Sequence, residues 1–400
     1  MTSLRLHRRR LGSVGVLAAS ALVAALVGAP VTAAPPDGEI LRAGGATTVA
    51  GSYLVVLKDS AVGGPAGTRV AAVSQRADAL ADRYGGTVGH RYGTALNGFE
   101  VRLPEPAARR LAADPAVAYV EQNHTVRPAT TQLNAPWNLD RIDQRTPPLD
   151  GRYSYVSTGN GVTAYIIDTG IRLTHPEFGR VGPGYDAVDG ALPADDCNGH
   201  GTAVASVVGG KTFGVAKEVR LVPVRVLNCA GSGTSAGLIA GINWVTADHQ
   251  PGQPAVANIS LGSTLSTALN TAVANSIADG VTYGVAAGNS NANACNFSPS
   301  SVLTAIVVGA TQSNDTRASF SNFGSCVDIY APGVNISVAG LSSGTVMMSG
   351  TSVAAPHVTG AAARVLQNNP TWTPSQVEAY LVAQATLVNN LPLLYMDPLT

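Results

Sequence analysis

Charge is scarce in this 400-residue chain: only 12% of the residues are Asp, Glu, Lys or Arg, and 25 acidic side chains cancel 25 basic ones. Without a basic excess there is no electrostatic footprint for nucleic acid or for an anionic membrane surface, and neither is expected as a partner. Aromatic residues make up 5%, and the four cysteines lack the close CxxC spacing of a zinc site. There is no internal repeat and no low-complexity tract, and beyond the first 34 residues no segment reads as a membrane-spanning helix. What is present, 45% hydrophobic residues and 44 glycines, suits a compact, loop-rich globular protein with room for a large core and a smaller domain.

The first residues follow another logic. Arg5, Arg8, Arg9 and Arg10 precede an apolar run, Leu11 to Val27, that leads to the small residues Val31, Thr32, Ala33 and Ala34. This is the layout of a secretory signal peptide, with cleavage expected after Ala33 because a later cut would leave Pro35 beyond the scissile bond. Gly12, Gly15 and Gly28 interrupt the run, which argues against a membrane anchor. Export to an extracellular location follows, and an oxidising compartment makes disulfides of Cys197, Cys229, Cys295 and Cys326, with three pairings open.

Residues 34–130 form one expected domain. "YLVVLKD" (53–59), "GFEVRL" (98–103) and "VAYVEQN" (117–123) read as strands. Thr68 to Tyr84 reads as a helix with Val70, Val73, Ala77 and Leu80 along one face, and 106–114 as a shorter one. This alternation predicts a small α+β module of ferredoxin-like type. The stretch 125–136 loses periodicity and reads as a linker. Residues 131–400 change texture: apolar strands at 161–168, 219–227, 255–261, 280–287 and 305–311 alternate with helices such as 235–247 and 266–278. Several strands lack polar alternation, as parallel strands covered on both faces do, and predict a doubly wound, mostly parallel α/β sheet.

Three short segments carry chemistry. Asp168 ends the strand "AYIID", where open α/β sheets build their sites. His200 stands between two glycines that permit close approach of another backbone. Ser352, in "SGTSVAAPHV", is delivered to the start of a helix expected over 353–368, with Pro356 in its first turn. There it would be exposed among free N–H groups that favour an oxyanion. Each residue alone has a plainer reading: a turn Asp, a structural His, an N-cap Ser. Together they supply a nucleophile, its base and the carboxylate that orients the base. Asn289, just after the strand in "GVAAGNS", adds an amide donor for the oxyanion.

With these residues in view, "IIDTGI", "NGHGTAVAS", "VAAGN" and "SGTSVAAPHV" resemble the subtilisin-like serine proteases, within them the secreted proteinase K and aqualysin-like group. The resemblance covers about 132–398, and 53–127 look like the family's inhibitory propeptide. It implies a self-processing endopeptidase, monomeric, acting on proteins or peptides and inhibited by its own propeptide until cleavage near 129–132. It assigns Asp168, His200 and Ser352 as triad and Asn289 to the oxyanion hole. Gly231, Ser232 and Gly233 would pair with the substrate backbone. Ser260, Leu261 and Gly262 with Ala286, Ala287 and Gly288 would line an uncharged pocket for an apolar or aromatic residue before the cut bond. It also implies sequential pairs, Cys197–Cys229 and Cys295–Cys326.

Calcium is a further implication, since Asp140, Asp143, Gln144 and Asp150 cluster oxygen ligands in one loop. Asp328 would serve a second site with carbonyls near Leu303 and Ala305. The plainer reading pairs these acids with Arg141 or Arg145. The chain departs from the family pattern at Ala203 (usually His), Val353 (Met), Ala355 (Thr) and Ser263 (Gly). Two rival readings remain: an exported binding protein that has lost activity, and a metallohydrolase built on Asp168, His175 and His200.

Overall fold

The computed structural model describes residues 37–43, 48–63, 66–126 and 129–398, so the expected signal segment lies outside the described residues. The first body contains β1 (Ile40–Leu41), β2 (Thr48–Leu57), α1 (Ala66–Tyr84), β3 (Thr87–Tyr92), β4 (Gly98–Arg102), α2 (Glu105–Ala112) and β5 (Val117–His124). Its strands pair in the order β1-β5-β2-β4-β3, the last four in the ferredoxin-like arrangement that the alternation predicts. Val73, Ala77 and Leu80 of α1 join Val55, Phe99, Val101 and Val120 in the core, whereas Val70 stays 51% exposed. Strand β3 has no hydrophobic signal of its own, being solvent-exposed along most of its length, and only pairing with β4 reveals it.

The second body follows with β6 (Thr130–Leu133), α3 (Trp137–Ile142), β7 (Arg152–Tyr155), β8 (Thr163–Asp168), β9 (Tyr185–Asp186), α4 (His200–Gly209), β10 (Arg220–Arg225), α5 (Ser235–Asp248), β11 (Ala255–Ile259), β12 (Ser263–Thr264), α6 (Thr267–Ala278) and β13 (Thr282–Ala286). Then come β14 (Phe297–Ser298), β15 (Ile306–Thr311), β16 (Ile329–Pro332), β17 (Ile336–Ala339), β18 (Thr345–Met348), α7 (Thr351–Asn368), α8 (Pro374–Gln384), β19 (Thr386–Val388) and β20 (Leu391–Leu393). Part of the expected linker is therefore ordered, because β6 pairs antiparallel with β7.

Nine strands form the main sheet in the order β19-β20-β16-β15-β13-β11-β8-β10-β9, parallel except for β19 with β20. Successive residues of β8 serve opposite faces. Ala164 and Ile166 pack with α4 and α7, while Tyr165 and Ile167 pack with α5 and α6. Covering on both faces is why these strands read as apolar runs rather than alternating ones. After β8 the chain builds β10 on one side, then returns to lay β11 on the other. The carboxyl end of β8, where Asp168 sits, is thus a topological switch point, the place where such sheets form sites. Helix α7 is buried from Thr351 to Leu366, and its many Gly and Ala residues allow this; a Cβ on Gly360 would fall 2.7 Å from Val215 Cβ.

Candidate active site

Asp168 is fully buried, and its carboxylate accepts the Thr169 N–H at 2.8 Å. His200 opens α4, and its Nδ1 faces Asp168 Oδ1 and Oδ2 at 2.8 and 2.9 Å. The flanking glycines have separate tasks. Gly199 turns at φ +111°, and a Cβ on Gly201 would lie 2.2 Å from the Gly170 carbonyl oxygen, so α4 approaches the end of β8 only without a side chain there. The Asp168 charge, opposed by burial, raises the His200 pKa above its ordinary value, with Asp196 adding to the rise.

Asp196 is a residue that sequence reasoning missed. Buried, it accepts from Thr169 Oγ1, from the N–H groups of Asn198, Gly199 and Thr202, and from Thr202 Oγ1, all at 2.6–3.0 Å. A buried carboxylate so fully satisfied anchors the His200 segment to the residue after Asp168. A disulfide from Cys197 to Cys229 ties the same segment to the turn that holds Gly231, Ser232 and Gly233, and Cys295 bonds Cys326. That turn is exposed and folds back on itself: Gly231 donates to the Asn228 carbonyl and Gly233 bridges Leu227. It is not a regular strand, since Asn228 Oδ1 holds the N–H groups of Ala230 and Ser232.

Ser352 differs from expectation in two respects. Gly350, not Ser352, is the N-cap of α7, and Ser352 is only 9% exposed, reached through a pocket of about 350 Å³. The pocket gathers Ser260, Leu261, Gly262, Ala286, Ala287, Gly288 and Asn289 with Ser352, all named from sequence, and adds Phe297, Ser300, Asn322 and Thr351, which were not. Asn289 Oδ1 accepts from both Thr351 N and Thr351 Oγ1, at 2.8 and 2.9 Å, so its amide NH₂ must point the other way. Three groups then converge: a Cβ on Gly350 would lie 2.8 Å from Ser352 Oγ, 3.3 Å from Asn289 Nδ2 and 3.6 Å from Ser352 N. Only glycine leaves that space open. Among the described residues no other protein group takes Ser352 Oγ, Ser352 N–H, Asn289 Nδ2 or His200 Nε2.

Ala203 and Val353, two departures from the family pattern, belong to one small cluster with Val207, Ile336 and Val338, closed by Trp137 and Met348. Both are fully packed between α4, β17 and the start of α7, beneath the two helices that present His200 and Ser352. His175 stays apart: its ring packs on Phe178, and its Nδ1 accepts the Glu177 N–H. Among the described residues no three His, Cys, Asp or Glu side chains are grouped to hold a metal.

The acids expected to bind calcium are not neutralised by arginine as the plainer reading has it. Arg141 is committed to Asp315 at 2.7 Å, and the Arg145 guanidinium lies over Tyr395. Burial, helped by the charges of Asp140 and Asp150, pushes Asp143 up to about 6. The carboxylates presently hold backbone N–H groups, Asp140 those of Asp150 and Gly151 and Asp143 that of Ser154, while Gln144 donates to the carbonyls of Thr146 and Pro148. Asp328 is likewise raised to about 6 by burial, and it adds to the burial that lifts Glu378 to about 7. The Arg364 charge only partly offsets the rise at Asp143, and these carboxylate and amide oxygens are the donor type that suits a hard cation.

Comparison with known proteins places the chain in a family. Residues 159–395 match the model of the subtilase family, and residues 52–129 match that of peptidase inhibitor I9. An extracellular serine proteinase of Thermus sp. (strain Rt41A) is 49% identical over 389 residues, 94% of this chain and 94% of that protein. Alkaline serine exoprotease A of Vibrio alginolyticus is 47% identical over 319 residues, 78% of this chain and 59% of its own length. The crystal structure of a cold adapted subtilisin-like serine proteinase is similar with a TM-score of 0.64 and 51% identity, covering 66% of this chain and 98% of that one. A peptidase body built around these strand ends, preceded by an inhibitor-type segment, places the chain in the subtilase family as a serine-type endopeptidase.

Proposed function

We propose that the protein is exported, with residues 1–33 as signal peptide, 34–130 as inhibitory propeptide and 131–400 as the peptidase. It cleaves peptide bonds through Asp168, His200 and Ser352. The observation that carries this reading is the convergence of Ser352 Oγ, Ser352 N and Asn289 Nδ2 on the space beside Gly350, with His200 held by Asp168 and its Nε2 left open. His200 Nε2 takes the proton of Ser352 as Oγ attacks the carbonyl carbon, and the Ser352 N–H and Asn289 Nδ2 receive the oxyanion. The protonated imidazole, stabilised by Asp168, then gives its proton to the departing amine, and water releases the acyl group by the same steps in reverse. The Ser352–His200 hydrogen bond closes when substrate is bound, as such bonds are commonly long in the free enzyme.

The pocket walls from Ser260 to Gly262 and from Ala286 to Gly288 carry no charge, which supports an apolar or aromatic side chain before the cut bond. Gly231 to Gly233 receive the substrate backbone on rearrangement of their turn. Asp140, Asp143, Gln144 and Asp150, and at a second site Asp328, would hold calcium, which would offset their negative charge and stabilise the loops. Adding a chelator should lower the melting temperature, and about 2.7 kcal/mol is the stabilisation expected at a hundred times the dissociation constant.

N-terminal sequencing of secreted wild type and Ser352→Ala tests the core of this reading. Self-processing predicts a mature start near residues 129–132 in the wild type alone, and a serine-directed phosphonate should label one site per chain. Processed wild type that is not labelled would instead support a binding protein that has lost its activity.

A further inference from the structure

Helix α7 carries a proline where its own hydrogen bonding needs a donor. Pro356, expected in the first turn, is in fact the sixth residue of the helix and the fourth after Ser352. The N–H that would close on the Ser352 carbonyl is missing, and the ring crowds that carbonyl. Yet the carbonyl is not orphaned, because Ser260 Oγ donates to it at 2.7 Å. Ser260 Oγ accepts in turn from Asn258 Nδ2, and Asn258 Oδ1 accepts from Thr359 Oγ1, each at 2.9 Å. Thr359, whose hydroxyl also lies 3.3 Å from the Ala355 carbonyl, donates over the shorter distance to Asn258, Asn258 to Ser260, and Ser260 to Ser352, so each bond polarises the next. All three relay residues are buried, and Gly284 on β13 makes the space, since a Cβ there would lie 2.2 Å from Thr359 Oγ1. Thr359 is seven residues beyond Ser352, two helical turns, so the relay leaves α7, passes the end of β11 and returns to the same face of the helix.

We infer that Ser260 is a positioning residue for the nucleophile. The Thr359–Asn258–Ser260 relay replaces the helix bond that Pro356 removes and holds the backbone of Ser352, and with it Oγ and N–H, in register with Asn289. Ser260 also lines the pocket beside Leu261 and Gly262. A side chain entering the pocket therefore bears directly on the residue that holds the nucleophile. The inference rests on Ser352 being the nucleophile.

The test is kcat and KM of the mature enzyme on a tetrapeptide p-nitroanilide with phenylalanine before the cut bond. Wild type, Ser260→Ala, Pro356→Ala and the double variant are compared, with phosphonate labelling of each. Ser260→Ala leaves a buried carbonyl unpaired and should lower kcat about tenfold while KM stays within about twofold. Pro356→Ala returns an N–H to that same carbonyl. It should recover at least about threefold of the loss in the Ser260→Ala background, yet give no gain in the wild type, where two donors then compete. Ser260→Thr keeps the hydroxyl and should keep kcat within about threefold. If Ser260→Ala does not fold, Thr359→Val, two bonds back, should lower kcat about threefold with KM unchanged. Additive effects in the double variant, or losses seen only in KM, overturn the inference. Wild type that neither turns over substrate nor is labelled overturns the nucleophile assignment instead.

Discussion

Two histidines of the peptidase body face aspartates at the same distance and have opposite fates. His200 Nδ1 lies 2.8 Å from Asp168, and His249 Nδ1 lies 2.8 Å from Asp279. His249 caps the end of α5, its side chain is 4% exposed, and its Nε2 meets the Gln253 carbonyl at 2.9 Å. His200 begins α4, its side chain is 26% exposed, and among the described residues its Nε2 has no protein partner. A His–Asp pair is therefore not in itself a catalytic element. What differs is the second nitrogen: closed by a carbonyl it fastens helix ends together, and left open, as the proposed base requires, it is free to exchange a proton.

The sharpest way to break this comparison is to remove each ring. His200→Ala should lower kcat/KM by about 10⁴–10⁶ on a peptide nitroanilide, whereas His249→Ala should stay within about twofold. Equal losses would mean that the second pair reaches the site. Next in size, Asn289→Ala should cost about 10²–10³ in kcat with little change in KM, which tests what stands around the open nitrogen's reaction partner. His249→Ala should act on stability instead, by about 1–3 kcal/mol in urea unfolding, because it removes a buried ring together with its contacts to Asp279 and the Gln253 carbonyl. An unchanged midpoint would make that pair ornamental.

The smallest effect concerns pH. His200 must be neutral to act as base, and Asp168 raises its pKa, so the acid limb of kcat/KM should have its midpoint above pH 6.5. Stability runs the opposite way. A raised folded-state pKa contributes stability that is full below the unfolded value of about 6.5 and lost as pH climbs through the folded one. A midpoint at or below 6.5 would show that burial outweighs the aspartate.

Much of the site was legible in the chain because each reactive residue sits in a short segment whose local geometry is its own. Asp168 ends a β-branched run, His200 is framed by glycines and Asn289 follows a strand that closes on Gly288. What escaped notice depends on contacts between segments. Asp196 looks like any loop acid until Thr169, 27 residues away, turns to meet it. Strand β3 exists only through its partner, and the ordered part of the linker only through β7. Ala203 and Val353 stand 150 residues apart, and only packing shows that they share one cluster.

By itself the sequence determined the class of chemistry and the doubly wound architecture, and it singled out Asp168, His200 and Ser352 as the proposed carboxylate, base and nucleophile, because strand hydrophobicity, helix starts and glycine turns are local properties. Only the tertiary structure decided which nitrogen of which histidine stays open and which way the Asn289 amide points. It also decided that Ser260, not the helix, holds the Ser352 carbonyl. The last two outcomes turn on single hydrogen bonds between residues 62 and 92 positions apart, and direction at that range belongs to the fold.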